Sequence, residues 1–274
     1  MRFFRFPLLA LVIPVWLSAV QGSAQAPPAE PKLTVEEMKQ FLLTAKVVKN
    51  RRTSKGITRP YRLTLSDGRL THDAGFQPVD IYRAVEKMQD GTTEINFRDT
   101  YHFNLAAYEL AKLLDVESMM PVTVMRKWDG KTGSLTWWLK VIMDDNERQK
   151  KGIEPPDVET WNRQMYRRRV FAELVYDNDP NATNVLIGEN WEVYMIDFTR
   201  AFRLHERLHH PEELRRCDGQ LLEKLRQLNK ADVERVAGLH LKSSEIKALM
   251  ARRDKILDHF RTLIQQKGEA AVLY

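Results

Sequence analysis

Asp179, Asn184 and Asp197 lie in the segment DNDPNATNVLIGENWEVYMIDFTRAF, residues 177–202. An Asp and an Asn flanking a short loop can face one phosphorylated ligand from the same side. A hairpin can then return a second carboxylate to the same place. In such a set Asp179 would accept the proton of an acceptor hydroxyl. Asn184 and Asp197 would hold Mg²⁺ against the phosphates of ATP or another nucleotide. The competing reading is a polar turn over Asp177–Asn181 with Asp197 at a strand end.

The surrounding pattern supports the first reading. Apolar runs over Asn184–Ile187 and Trp191–Ile196 flank Gly188–Glu189–Asn190, which predicts two short strands joined by a turn. A calcium loop starting at Asp177 fails, because Ala182 stands where Gly is needed and Gly188 where a bidentate Glu is needed. Asn181–Ala182–Thr183 also matches a glycosylation sequon, but a glycan there would block the proposed site.

The positioning elements follow from periodicity. Thr34 and Glu37 form a capping box that opens a helix over Val35–Val47. Tyr61–Leu65 and Leu70–Gln77 read as strands around the turn Ser66–Asp67–Gly68. Ile81–Met88 is expected as a short helix ended by Asp90–Gly91. Residues 99–116 have helical periodicity at Leu105, Ala106, Tyr108, Leu110, Leu113 and Leu114. Pro121–Arg126 and Ser134–Met143 read as strands separated by a turn-rich stretch. Beyond Asp144, helices are expected over Trp161–Tyr176, Gln220–Leu228, Lys230–Ala237 and Ser244–Gln266. A β-rich part with one long helix thus precedes a helical part. The expected division is a small lobe over residues 34–142 and a larger lobe over 143–274.

Composition sets the compartment. Arg2 and Arg5, the apolar stretch Pro7–Val20 and Ala24–Gln25–Ala26 read as a cleavable signal peptide over residues 1–26. That stretch, interrupted by Pro14, is short for a span of ~20 residues, and no later run approaches one. Residues 27–33 follow as a Pro-rich linker. The mature chain is expected to be exported, periplasmic or secreted in a bacterium, with no transmembrane segment. The single cysteine, Cys217, excludes an internal disulfide. An apolar fraction of 43% is ample for a core. Removing the two leader arginines lowers the formal charge from the +6 of the whole chain. The remaining excess is an ordinary basic surface compatible with an anionic small ligand, and nucleic acid is not expected as a partner.

With these residues in place, residues from about 55 to 265 resemble the atypical kinase superfamily that includes phosphoinositide kinases, HipA-type bacterial kinases and secreted casein kinases. Within it, the chain resembles exported bacterial kinase-like proteins. The resemblance is carried by Leu105–Ala106–Ala107–Tyr108–Glu109–Leu110, Leu113–Leu114, Pro121–Val122–Thr123–Val124 and Ile196–Asp197–Phe198–Thr199–Arg200–Ala201–Phe202. It implies an α+β bilobal kinase-like fold, with Asp179 as base and Asn184 and Asp197 as metal ligands. It also implies Mg²⁺ and a nucleotide or other phosphorylated small molecule, with a protein or glycan hydroxyl as acceptor.

The departures set the alternative. Gln77 stands where a strand lysine would clasp the phosphates, and Asn104 where its glutamate partner is usual. This neutral amide pair removes an electrostatic clamp without leaving a lone buried charge. The segment 54–60 lacks a G-x-G-x-x-G, and Lys55, Arg59 or Arg62 are the candidates to replace the missing cation. Lys112 is a further one. Thr199 replaces the Gly usual after Asp–Phe. The alternative function is therefore a pseudokinase that binds or scaffolds without turnover.

Other features read as structural. His205, His209 and His210 near Glu206 lack regular metal-ligand spacing and are expected in a solvated loop. Arg167–Arg168–Arg169 are expected on a solvated helix face. Of Trp137 and Trp138 on one strand, one should face the core and its neighbour the cleft.

Overall fold

The computed structural model describes Met1 and residues 33–53, 60–88, 91, 93–177 and 181–274. The expected leader beyond its first residue and the spacer through Lys32 lie outside the described residues. So do Lys55, Arg59 and Asp179. Among the described residues no helix is long and apolar enough to cross a membrane.

Helix α1 (Val35–Thr44) opens on the expected capping box. It is shorter than its sequence pattern, because Ala45 turns extended and strand β1 (Lys46–Arg52) begins at once. Strands β2 (Tyr61–Ser66) and β3 (Thr71–Gln77) follow as expected. The expected helix over Ile81–Met88 is instead strand β4 (Asp80–Lys87), paired antiparallel with β5 (Thr93–Thr100). Ile81, Ala84, Val85 and Met88 fall at i, i+3, i+4 and i+7, which imitates a helix. The partner strand, a tertiary fact, decides against it.

Thr100 caps helix α2 (Tyr101–Leu113), with its hydroxyl accepting from His102 N–H. Strands β6 (Thr123–Trp128) and β7 (Lys131–Trp137) form a hairpin, so residues expected as a turn-rich gap are mostly strand. The order β1-β2-β3-β7-β6 makes a five-stranded sheet. One face packs Leu63, Leu65, Ala74, Phe76 and Leu135 into the core with α1. Trp137 meets Phe41 of α1 edge-on and stacks on His72, whereas Trp138 lies under the Arg62 guanidinium. The two tryptophans therefore part as the alternation requires.

Strand β8 (Val141–Asp144) leads into α3 (Asp145–Lys151), and α4 (Val158–Val175) crosses the helical part. Strands β9 (Val185–Gly188) and β10 (Val193–Met195) form the expected hairpin and join β8 in a three-stranded sheet. Helices α5 (Gly219–Gln227), α6 (Lys230–Ala237), α7 (Ser243–Lys267) and the short α8 (Glu269–Val272) complete it. Residues 33–274 form one compact unit.

Arg252 of α7 is fully buried. Its Nε donates to the carbonyl of Leu174, and its Nη1 to those of Arg203 and His205. Three backbone carbonyls satisfy most of a buried cation and tie the segment after Asp197 to α4 and α7. Desolvation lowers its pKa to about 10, still protonated at neutral pH.

The Arg167–Arg169 expectation needs correction. Arg167 donates to the Asp115 carbonyl and Arg169 pairs with Glu213. Burial lowers the Arg168 pKa, opposed by the field of Asp177. These are tertiary contacts, which a helical wheel cannot show.

Candidate functional site

Asn184 ends a 3₁₀ turn, Ala182–Asn184, in which Asn181 Oδ1 accepts from Thr183 N–H at 3.0 Å. Beyond the ladder of β9 and β10, Ile196 N–H donates to the Asn184 carbonyl at 3.1 Å. That bond extends the hairpin by one pair and sets Asn184 beside the strand that delivers Asp197. Asp197 has a left-handed backbone, φ 61°, a conformation that Asp tolerates better than most residues. The reversal leaves Asp197 exposed while Phe198 and Thr199 are buried. Thr199 Oγ donates to Asp197 Oδ1 at 3.2 Å.

The other side of the site hangs on Asn104 of α2. Phe198 N–H donates to Asn104 Oδ1 at 2.8 Å, and Asn104 Nδ2 donates to Ser134 Oγ at 3.1 Å. Ser134 stands opposite Gln77 in the β3–β7 pair. One asparagine thus connects β7, the strand paired with that of Gln77, to the turn carrying Asp197. Gln77 is buried, and its Oε1 accepts from Val79 N–H at 3.2 Å.

The structure therefore brings Asn184 and Asp197 together, and Gln77 and Asn104 to a common neighbour in Ser134. Arg62 is held by Asp73, with Nε to Oδ2 at 2.6 Å, and Lys112 pairs with Glu109. Both replacement cations visible here are thus engaged by carboxylates.

Several contacts were not legible in the sequence. Thr100 N–H donates to the Thr199 carbonyl at 2.9 Å, and Arg200 Nε to Asp99 Oδ2 at 3.0 Å. Arg203 faces Glu94 at 3.0 Å, and Arg98 binds Glu245 of α7. β5 therefore fixes the chain just after Asp197. The only sequence signal is opposite charge at 94, 98 and 99 against 200, 203 and 245, too generic to predict pairing.

The His205–His210 loop is structural. His209 and His210 backbone N–H groups donate to the buried Glu173 carboxylate at 2.7 and 2.6 Å. Burial pushes that carboxyl above its usual range, against the lowering effect of the two bonds. His209 stacks on Tyr176. Among the described residues no cluster of three or more His, Cys, Asp or Glu gathers.

The residues at the hairpin mouth fit a divalent ion shared with phosphate. Asn184 Nδ2 is buried without a hydrogen-bond partner. Turning that amide half a turn puts its oxygen in the same position. Mg²⁺ commonly takes one or two protein oxygens and fills its shell from phosphates and water. Beside this turn lies an open cavity of 520 Å³ lined by Asp144, Asn146, Glu147, Lys150, Asn181 and Thr183, among others.

A sheet with a supporting helix, followed by a helical part whose hairpin presents Asn and Asp at its mouth, defines a kinase-like fold. Comparison with solved structures agrees with this. The structure of hydra Fam20 with sugar superposes with a TM-score of 0.64 at 16% identity, covering 88% of this chain and 92% of that one. The Golgi casein kinase with Mn/ADP bound gives 0.60 at 11% identity, covering 87% and 78%. The Helicobacter pylori proinflammatory kinase CtkA gives 0.54 at 8% identity, covering 82% and 98%. No protein-family profile and no curated protein sequence matches the chain.

Proposed function

We propose that the chain is an exported kinase-like protein binding a nucleotide and a divalent ion, with Mg²⁺ the expected metal. Gln77, Asn104, Asn184 and Asp197 are the residues that would line its ligand site. The carrying observation is the hairpin mouth, where Asn184, whose buried amide nitrogen has no partner, is backbone-paired with the residue that precedes the exposed Asp197. The Golgi casein kinase with Mn/ADP bound shares the fold, which supports the reading. A bound divalent ion would neutralise phosphate charge. Asn184 and Asp197 would hold it, and the Asn104–Phe198 bond would fix the reach of Asp197.

In the active form Asp179 takes the proton of an acceptor hydroxyl. The acceptor oxygen bonds the terminal phosphorus as the bridging P–O bond breaks, and the nucleoside diphosphate leaves. We place the acceptor in the cavity between α3 and the Asn181–Thr183 turn. A protein or glycan hydroxyl could bond the carboxylates and amides among its lining residues, and the fold shared with hydra Fam20 with sugar supports a glycan. We propose that the two expected lobes, residues 34–142 and 143–274, meet close to β8; the pairing of β8 with β9 supports this.

The leader-like residues 1–26 support export to a bacterial periplasm or beyond. The test is a thermal-shift titration with ATP and Mg²⁺ or Mn²⁺ on a chain beginning at Pro27. Stabilisation by about 3 kcal/mol is expected at a hundred times Kd, and Asp197→Ala should abolish it. No shift, or equal shifts in both proteins, removes the nucleotide site.

A second reading, a pseudokinase, is favoured by Gln77 and by the ion pairs that engage Arg62 and Lys112. It predicts the same binding without nucleotide turnover.

A further inference from the structure

Residues 46–62, KVVKNRRTSKGITRPYR, contain seven of the chain's 43 Lys and Arg and none of its 37 Asp and Glu. The stretch carries +7, and the 36 bases and 37 acids of the rest of the chain sum to −1. Strand register gives the cluster a direction. Lys46, Lys49 and Arg51 of β1 stand opposite Ser66, Thr64 and Arg62 of β2. Directly opposed residues of an antiparallel pair share a face. Thr64 and Arg62 in turn oppose Asp73 and Gly75 of β3, and Gln77 lies two residues beyond Gly75 on that face. The three β1 cations thus share a sheet face with Gln77. Val47 and Arg52 lie on the other face, opposite core-facing Leu65 and Tyr61.

The only acid on this face of β1–β3 is Asp73, already bound by Arg62 and Thr64. Lys46, Lys49 and Arg51 are exposed and have no acidic partner among the described residues. Between them, at a bulge in the β1–β2 register, Val48 is 60% exposed. β1 is also an edge of its sheet, so nothing in the sheet covers it.

Lysines on an edge strand discourage pairing with another edge. A second copy of β1 would set cation against cation, so this face disfavours its own kind. An anionic bilayer satisfies each part of the pattern. Its phosphates take a row of unpaired cations, and its interfacial zone takes a lone valine. The apolar stretch Pro7–Val20 upstream, outside the described residues, would bring the same end of the chain to a membrane during export.

We propose that the β1 face, Lys46, Lys49 and Arg51 with Val48, docks the protein on an anionic phospholipid surface. The site face then turns toward the headgroups. Docking is measured without nucleotide, so its failure is distinguishable from failure of the nucleotide site.

The experiment is vesicle co-sedimentation of the chain from Pro27, which contains the whole compact unit. Phosphatidylcholine vesicles are compared with and without phosphatidylglycerol. Binding is expected only to the anionic vesicles and should fall steeply with added salt. The combined variant Lys46→Glu, Lys49→Glu, Arg51→Glu should partition at least about a hundred-fold more weakly. It should melt like the parent, because all three side chains are exposed. Equal binding to both vesicle types, or an unchanged variant, overturns the proposal. Polyglutamate binding that excludes vesicles would overturn it in favour of an acidic protein partner. The salt titration on the parent chain gives an independent readout if the variant misfolds.

Discussion

Replacing Asn104 with alanine tests the connection between the sheet and the Asp197 turn. The substitution removes the acceptor of Phe198 N–H and the donor to Ser134 Oγ, at 2.8 and 3.1 Å. Phe198 and Ser134 are buried, 2% and 1% exposed, so water replaces neither bond readily. An orphaned buried N–H costs ~1–3 kcal/mol, and losing the second bond costs ~1 kcal/mol. Asn104→Ala should therefore destabilise the chain by about 2–4 kcal/mol. That is a large share of the roughly 5–15 kcal/mol of a typical domain.

Urea unfolding of the chain from Pro27, followed by circular dichroism, reads this as a lower midpoint with an unchanged slope. Asn104→Asp is the control. Its carboxylate still accepts from Phe198 N–H and can accept from a rotated Ser134 hydroxyl, so most of the loss should return. A loss below about 0.5 kcal/mol for alanine, the range of an ordinary surface change, would refute the reasoning. So would an Asp variant as unstable as alanine. The alanine variant should also weaken stabilisation by nucleotide and metal, because Phe198 N–H anchors the residue next to Asp197.

Gly133→Ala should cost about 1–3 kcal/mol, since its Cβ would lie 2.5 Å from the Gln77 carbonyl oxygen and force β3 from β7; a melting temperature within error of the parent would contradict this. The His102 and His240 rings meet Nδ1 to Nδ1 at 3.0 Å, joining α2 to the turn after α6. Burial lowers both pKa values; Asp80 opposes and Arg98 reinforces this at His102, while His102 reinforces and Glu109 opposes it at His240. The unfolded chain therefore takes up protons first, so the pair's stability is present above the ordinary histidine pKa of 6.5 and lost as pH falls through the lowered values. Melting temperature should drop from neutral pH toward about pH 5 more steeply in the parent than in His240→Gln, and parallel curves would exclude the pair as the cause.

Elements whose causes are local were legible from residue order. The Thr34–Glu37 capping box, the β2–β3 hairpin around Ser66–Gly68, α2 and the β9–β10 hairpin all carry their signals within a few residues. Their order also carried the kinase-like fold, because a sheet-and-helix part followed by a helical part with Asp197 early in it is itself a sequence pattern. Asn184 and Asp197 meet for a similarly short-range reason, being the two ends of one hairpin.

Tertiary structure alone decided the rest. Residues 81–88 satisfy both a helical and a strand pattern, and only pairing with Thr93–Thr100 separates them. The sequence marked Gln77 and Asn104 as a pair of lost charges. The fold shows what Asn104 does instead, holding Phe198 and Ser134 from residues 94 and 30 positions away. Arg62 looked available until strand pairing brought Asp73 to it, whereas the Lys112–Glu109 pair is local to α2. A lone residue's type limits which bonds it can make. Which bond forms depends on groups far along the chain that packing brings within about 3 Å.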